Sequence, residues 1–462
     1  MPKETREIVI EGGKVITRNG PRRANVLVRG EKIAAVGRMR GEGLSRHVQV
    51  IDASGCIVMP GAIDCHVHFQ LPIAPGMTTA DDFSSGTKAA AAAGITTVID
   101  YTTPLPGQQP LDAFRARRAQ ADGQVSIDYS LHNVLIGFEK GWARQLGRLR
   151  ALGAPSVKVF LIYADRGWQT DDGRLVEIMN ACSRSGLVVC VHAENDALIR
   201  HYSESAAGAK GALALARARP PIVEVEAVQR VVLLARHTGA RTHLVHLSCP
   251  ESVELVSQAR KRGIAVSAET CPQYLALDER LLARPDGHLW GCCPPLRRRE
   301  LGQKLLQLVC RGAVQAMVTD HCAFSRRQKD RWEGDFRRIP YGLAGVETSL
   351  AVTWTLGPAA RRMPLWRWQW LHTEGPARLF GLWPRKGSLR PGSDADIVVW
   401  DPQARWTPDP RRMETSIDWS PYRGMKLRGR ARMVFLRGTL VASNGRFCGP
   451  DGRGRFLKRS PP

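Results

Sequence analysis

Five residues stand out by type and by place: His66 and His68, one residue apart, then His192, His246 and Asp320, each closing a short apolar run. In an extended segment side chains alternate, so His66 and His68 point to one face. Imidazole nitrogens joined by a carboxylate suit zinc or a similar borderline ion, whereas calcium would want more oxygens. A sixth residue, Lys158, lies inside Val157-Lys-Val-Phe-Leu-Ile-Tyr163, where an ammonium group would be buried. Such a lysine is a candidate for chemical modification or a depressed pKa. A lone strand histidine is more often a packed core residue, and His201, His237 and His288, on helical or loop-like stretches without partners, illustrate that case. What points to chemistry is that His66 with His68, then His192, His246 and Asp320, all fall at strand ends.

These residues need a scaffold that gathers strand ends. From about residue 58 to 382, short apolar runs alternate with helix-length segments, the βαβα pattern of a parallel sheet. Expected strands are 56–68, 96–100, 126–132, 157–163, 187–192, 242–247, 265–269 and 316–320. Eight such units predict an α/β fold of the (β/α)8 TIM-like barrel type, with its active site at the carboxyl ends of the strands. A doubly wound sheet competes, but no Gly-x-Gly-x-x-Gly follows any of these runs. The first 55 residues read as short strands at 7–10, 14–16, 25–28, 32–36 and 48–51, bent at Gly12-Gly13, Asn19-Gly20 and Gly30. Runs at 395–400, 432–436 and 439–442 match them at the other end. One small β-sandwich built from both termini is expected, dividing the chain into 1–57, a barrel over 58–384, 385–445 and a tail at 446–462.

The chain has 462 residues, 43% of them hydrophobic and 24% charged, which excludes wholesale disorder. Its net charge of +24 is the anomaly, and only 13 of the 67 basic residues are lysine. An arginine excess first suggests nucleic acid or an anionic membrane. A binding footprint would cluster, however, and the densest groups here, 297–299, 326–338 and 453–459, are short and mixed with Gly, Pro or acids. No specific nucleic-acid partner is expected. Eleven cysteines, odd in number and without a CxxC pair, read as buried thiols in a reducing compartment. The charged start, residues 1–7, has no signal-peptide core, and no run approaches 18 apolar residues. A cytoplasmic protein without a membrane span is expected.

Several motifs now combine: Gly61-Ala-Ile-Asp-Cys-His-Val-His-Phe-Gln70, Asp81-Asp-Phe83, Val157-Lys-Val-Phe160, Val191-His-Ala-Glu-Asn195, Val245-His-Leu-Ser248 and Glu269-Thr-Cys-Pro-Gln-Tyr-Leu275. Pro294-Pro-Leu-Arg297, Thr319-Asp-His-Cys322, Gly345-Val-Glu347, Ala377-Arg-Leu-Phe-Gly-Leu382 and Gly392-Ser-Asp-Ala-Asp396 follow. In these segments, collinear over nearly the whole chain, the sequence resembles the cyclic amidohydrolases of the amidohydrolase superfamily. Within them it is most similar to the dihydropyrimidinase and hydantoinase family, including its phenylhydantoinase-like branch.

The resemblance implies two zinc ions. His66, His68 and Asp320 would hold one, His192 and His246 the other, and Lys158, carboxylated on its Nζ, would bridge them. The bridging carbamate is an anion that the metals neutralise, which accounts for a lysine in a buried strand. It also implies hydrolysis of the cyclic amide of 5-substituted hydantoins or dihydropyrimidines to N-carbamoyl amino acids, by hydroxide formed between the metals. Asp320 would carry the proton to the departing ring nitrogen, and Tyr163 would hydrogen-bond the developing oxyanion. Homotetramers or homodimers are implied, with the tail 446–462 contributing to contacts.

Two positions depart from the family pattern. Cys293 stands where Ser is usual before Pro-Pro-Leu-Arg, and Tyr341 where Asn is usual after Ile-Pro. Both positions are expected to bind the substrate's ureide edge mainly through backbone groups, and Tyr341 could narrow the pocket. Gln70 lacks the charge of the Arg that dihydroorotases place there, so a dihydroorotase-like ring is disfavoured, and allantoinases commonly have Asn. A non-catalytic scaffold is the alternative from another class, and the complete ligand set argues against it. The loop 71–79 and segment 164–168 would border the entrance, Pro72, Ile73, Met77 and Trp168 forming an apolar wall.

Overall fold

The computed structural model describes residues 7–38, 48–74, 76–137, 140–206, 208–209 and 211–461. The charged start expected to lack a signal peptide lies mostly outside them. The eight barrel strands are β1 (Ala62–Val67), β2 (Ile95–Tyr101), β3 (Asp128–Val134), β4 (Ser156–Phe160), β5 (Val188–His192), β6 (Thr242–Leu244), β7 (Val266–Thr270) and β8 (Ala316–Met317). They pair in parallel in chain order. A bridge between Val67 and His321 brings the chain after β8 back to β1. Helices fill the connections, among them Phe83–Ala93, Asp172–Ser185, Pro221–Thr238 and Pro250–Lys261. β2 and β3 are buried along their whole length, as parallel strands covered on both faces must be.

The expected architecture of a barrel with a sandwich from both termini is what the chain adopts. The strand expected over 56–68 is two strands that meet at Gly61. Ile57–Pro60 belongs to the sandwich, antiparallel to Ile397–Trp406, while β1 begins the barrel. A Cβ at Gly61 would stand 2.0 Å from Thr96 Oγ1, so the crossing point requires glycine. β4 stops at Phe160 rather than 163, and β8 at Met317 rather than 320. The backbone explains both: Tyr163 (φ 69°) and Asp320 (φ 50°) lie in the left-handed region, which no strand can pass through.

The sandwich has a four-stranded sheet of N-terminal strands and a seven-stranded sheet that mixes both ends of the chain. Alternating apolar residues from each end share one core, including Ile8, Ile10, Val26, Val58, Ile397, Val399 and Phe435. Two short strands are absent from the sequence expectation, Gly20–Arg23 and Arg446–Phe447. The first is Gly-Pro-Arg-Arg, whose composition carries no strand signal.

The tail runs along the barrel floor. Tyr129 donates its amide to the carbonyl of Arg455, and Leu457 donates to that of Tyr129. Arg459 then inserts its guanidinium between strands, giving Nε to Ser130 Oγ and Nη2 to Ser156 Oγ, both at 2.8 Å. It is buried with no carboxylate partner among the described residues, and burial brings its pKa down to about 10. Replacing Arg459 by alanine removes the donor to the buried Ser130 hydroxyl and to the Leu131 carbonyl, while Ser156 keeps its bond to His132, so we expect a loss of about 2–4 kcal/mol. Denaturant unfolding of the variant checks this, and an unchanged midpoint would show that these bonds add nothing to stability.

Candidate metal centre

All six residues expected to act together converge at the carboxyl end of the barrel. His66 lies in β1 and His68 just past it, Lys158 in β4, His192 at the end of β5, and His246 and Asp320 just past β6 and β8. Register explains part of this: Phe160 pairs with His192 and Lys158 with Cys190, so neighbouring strands present their inward residues at matched heights. Asp320 Oδ1 lies 3.2 Å from His66 Nε2 and 3.1 Å from His68 Nε2. His246 stacks edge-on against His192, ring centroids 4.4 Å apart, and stands 5.3 Å from the ring of His66.

Four non-glycine residues at this end have positive φ: Gln70, Tyr163, His246 and Asp320. Each such backbone costs about 1–3 kcal/mol and persists only where the surroundings fix it, a pattern concentrated at functional sites. The chain turns out of the strand direction at these points and thereby aims side chains inward.

The electrostatics follow from packing imidazoles and carboxylates out of water. Burial alone would raise the pKa of Asp320, but His66 and His68 hold it well below the carboxylate range. Burial lowers His68, His192 and His246, keeping their imidazoles neutral, the form that ligates metals. Lys158 lies near the Tyr101 and Phe160 rings, each centroid 5.2 Å from Nζ, and burial lowers its pKa to about 8 against the opposing pull of Asp320. A lysine so placed has an appreciable neutral fraction near physiological pH.

A surrounding layer of charge was not foreseen from the sequence. Glu269, buried on β7, bonds His66 Nδ1 at 2.5 Å and His243 Nε2 at 2.9 Å and accepts the amide of His246. It fixes His66 so that Nε2 faces Asp320, the carboxylate–histidine arrangement common around metals. Glu194 does the same for His192, 2.8 Å from its Nε2. Its other contacts are Arg219 Nη1 at 3.0 Å and the Cys293 thiol at 3.1 Å. Burial would push Glu194 up, yet Arg219 first and His192 next keep it far below the usual range. Both glutamates stand inside the family motifs, and only strand-end placement could have marked them. Arg219, between two helices, carried no local signal.

Tyr163, Cys293 and Tyr341 border the same end. The Tyr163 hydroxyl is 3.4 Å from Cys293 Sγ, and its ring packs edge-on against Trp168 with centroids 6.0 Å apart. Arg219 Nη1 is 2.8 Å from the same sulfur, and its guanidinium lies over the Tyr341 ring at 5.3 Å. The Tyr341 hydroxyl is tied back to the carbonyl of Phe336 at 3.2 Å. Pro72–Ala74 and Met77–Thr78 form a short hairpin. A cleft of about 440 Å³ lies at the opposite end of the barrel beside His243.

Set beside known proteins, a barrel with polar groups at its strand ends takes a definite class. The model of the amidohydrolase family matches residues 57–441. A D-hydantoinase of Geobacillus stearothermophilus is 34% identical over 458 residues, spanning 98% of this chain and 96% of that protein. A D-phenylhydantoinase of Escherichia coli O1:K1 is 35% identical over 461 residues, 98% of each. The solved dihydropyrimidinase from Brevibacillus agri NCHU1002 superposes with a TM-score of 0.94 at 33% identity, covering 98% of this chain and 99% of that one. The chain is an amidohydrolase, a hydrolase built on this barrel. Within that class it belongs to the hydantoinase and dihydropyrimidinase family, cyclic amidases acting on carbon–nitrogen bonds other than peptide bonds.

The Arg219–Glu194 pair yields a test. Arg219→Met strands a fully buried carboxylate, which costs about 3–5 kcal/mol. Adding Glu194→Gln should return part of it, and a double-mutant cycle by denaturant unfolding measures the coupling. Additive effects would show that the pair is not an energetic unit.

Proposed function

We propose that this enzyme opens the ring amide of 5-substituted hydantoins or dihydropyrimidines to N-carbamoyl amino acids, using two divalent ions, zinc by the softness of the ligands. The observation that carries the reading is the convergence of His66, His68, Lys158, His192, His246 and Asp320 at one barrel mouth, in a chain whose full-length relatives are named for hydantoins and dihydropyrimidines. The donor set fits ions. His66 Nε2, near Asp320 yet out of hydrogen-bond alignment, and His246 Nδ1 are buried nitrogens without hydrogen-bond partners. Lys158 faces aromatic rings with no carboxylate bonded to it among the described residues, and carboxylation would replace a buried cation with an anion able to bridge metals. His66, His68 and Asp320 would hold one ion, His192 and His246 the other, and Lys158 both.

Bound there, the ions would supply a nucleophile from water near neutral pH and polarise the ring carbonyl. The protein's own groups do the rest. Asp320, kept ionised by its imidazoles, accepts a proton and returns it to the departing ring nitrogen. Tyr163, held protonated because burial raises its pKa, donates its hydroxyl to the oxyanion that forms on the attacked carbonyl. Backbone groups at Cys293 and Tyr341 would grip the ureide edge, and Trp168 beside Tyr163 would face the exocyclic substituent.

The surroundings fit a cytoplasmic enzyme, since all eleven cysteines are free. Among the described residues no helix is long and apolar enough to cross a membrane. We take 62–384 as the catalytic barrel, 1–60 with 385–447 as the sandwich, since the expected bounds at 57 and 446 cut the sandwich strands Ile57–Pro60 and Arg446–Phe447 from their sheet, and 448–462 as a tail that also contributes to a homotetramer or homodimer. Light scattering is expected to find no monomer.

Two measurements check the chemistry. Zinc-loaded protein should open dihydrouracil or phenylhydantoin in preference to allantoin, and chelation should abolish turnover; no turnover of any cyclic ureide would sink the reading. Tyr163→Phe should lower kcat by about 10²–10³, the effect of removing one oxyanion donor, with metal content unchanged. An unaltered kcat would remove Tyr163 from this role.

A further inference from the structure

Lys329 is a buried cation that the chemistry above leaves unused. It ends the short helix Arg326–Lys329, its exposure is 0%, and no carboxylate is bonded to it. Its Nζ donates to the carbonyl of Gly291 at 2.8 Å and to that of Pro340 at 2.6 Å. Those two carbonyls sit two residues before Cys293 and one before Tyr341, so a single ammonium ties together the two segments expected to grip the substrate. Gly291 also accepts the amide of Gly342 at 3.0 Å. Both glycines are tightly enclosed: a Cβ at Gly342 would stand 2.4 Å from the carbonyl oxygen of Cys322, and one at Gly291 would stand 2.4 Å from Ile339 Cγ2.

A methionine or leucine would fill this space without the cost of burying a charge, so the ammonium has to be explained by what it bonds. Charge-assisted hydrogen bonds are about twice as strong as neutral ones, and two from one nitrogen fix a distance between two strands of backbone. The helix that carries Lys329 is itself pinned. Ser325 and Gln328 form a reciprocal cap, and Gln328 Nε2 reaches the carbonyl of Thr78 at 2.6 Å. Lys329 therefore has little freedom to follow a shifting loop.

We propose that Lys329 is a positioning residue for substrate binding, setting the spacing of the 291–293 and 340–342 backbone that receives the cyclic ureide. This rests on the function proposed above for those segments. It touches no candidate metal ligand, so its effect falls on KM rather than on the chemical step. Burial lowers its pKa to about 7. The titratable groups facing it are the thiols of Cys292 and Cys322, both kept neutral because burial raises them, Cys292 to about 12. The ring of Phe324 covers it, and neighbouring Asp330 is bonded to His288 at 2.7 Å. As pH rises through neutrality the ammonium becomes an amine and its two bonds weaken, so substrate affinity should fall.

The test compares wild type, Lys329→Met and Lys329→Arg. Lys329→Met should raise KM for the ring that wild type hydrolyses by about tenfold or more, the loss of two charge-assisted bonds, with kcat and metal content nearly unchanged. Hydrogen exchange at the Gly342 amide should quicken while the barrel strands keep their protection. Lys329→Arg keeps the cation and should lie between. The rise of wild-type KM between about pH 6 and 8.5, the range spanning the lysine's titration, should be absent in Lys329→Met. Unchanged KM and exchange, or a loss of kcat and metal at constant KM, would overturn the proposal. Should Lys329→Met fail to fold, Lys329→Arg and the wild-type profile decide: a flat wild-type KM with an unaffected arginine variant refutes it. Exchange needs no turnover, so a protein that hydrolyses no cyclic ureide would refute the proposed function, while its exchange rates would still show whether Lys329 fixes the two segments.

Discussion

Glu269 is the group on which the rest of the site depends. A fully buried carboxylate is tolerable only where cations or donors surround it, and this one lies between His66 and His243 with the amide of His246 as a third donor. Burial would raise its pKa, yet the two imidazoles hold it well below the carboxylate range. It joins β1, β6 and β7 across the barrel interior and decides which nitrogen of His66 faces Asp320. Glu194 repeats the device for His192, with Arg219 as its counter-charge. The interior is thus a set of negative charges each held by positive or donor groups. The mouth of the barrel inherits fixed imidazoles from that arrangement.

This bears on the net charge of +24. A minority of the carboxylates are buried, where they orient imidazoles or join the barrel to the sandwich, as in the cluster of Lys386 with Asp128 and Asp396, each 2.6 Å from Nζ. Many arginines lie outside in local pairs such as Arg280–Asp278 and Arg337–Asp335, both arginines well exposed. Exposed pairs of this kind add little stability. Much of the positive charge therefore lies on the outer surface, away from the candidate metal centre.

The barrel was legible because parallel strands buried on both faces read as apolar runs, and because period-2 geometry forces His66 and His68 together. Five of the six candidate ligands could be picked out because each falls at or near the end of such a run, and Lys158 because an ammonium inside one is out of place. What could not be read depended on pairing between distant segments. Arg219 is held by Glu194 and Cys293, 25 and 74 residues away. Lys329 sits in a basic stretch that looks like solvated surface, and its burial follows from the packing of 291 against 342. The expected strand ends at 163, 247 and 320 overrun the observed ones because a left-handed residue, here Tyr163, His246 and Asp320, is indistinguishable by composition from one more strand residue.

We propose that Lys158, as a carbamate, and five neighbours hold two divalent ions at the barrel mouth. Crystallography of the zinc-loaded enzyme with anomalous scattering at the zinc edge would locate them. Two anomalous peaks are expected, one bounded by His66, His68 and Asp320, the other by His192 and His246, with carbamate density on Lys158 between them. An unmodified Lys158 with no zinc at these histidines would contradict the claim.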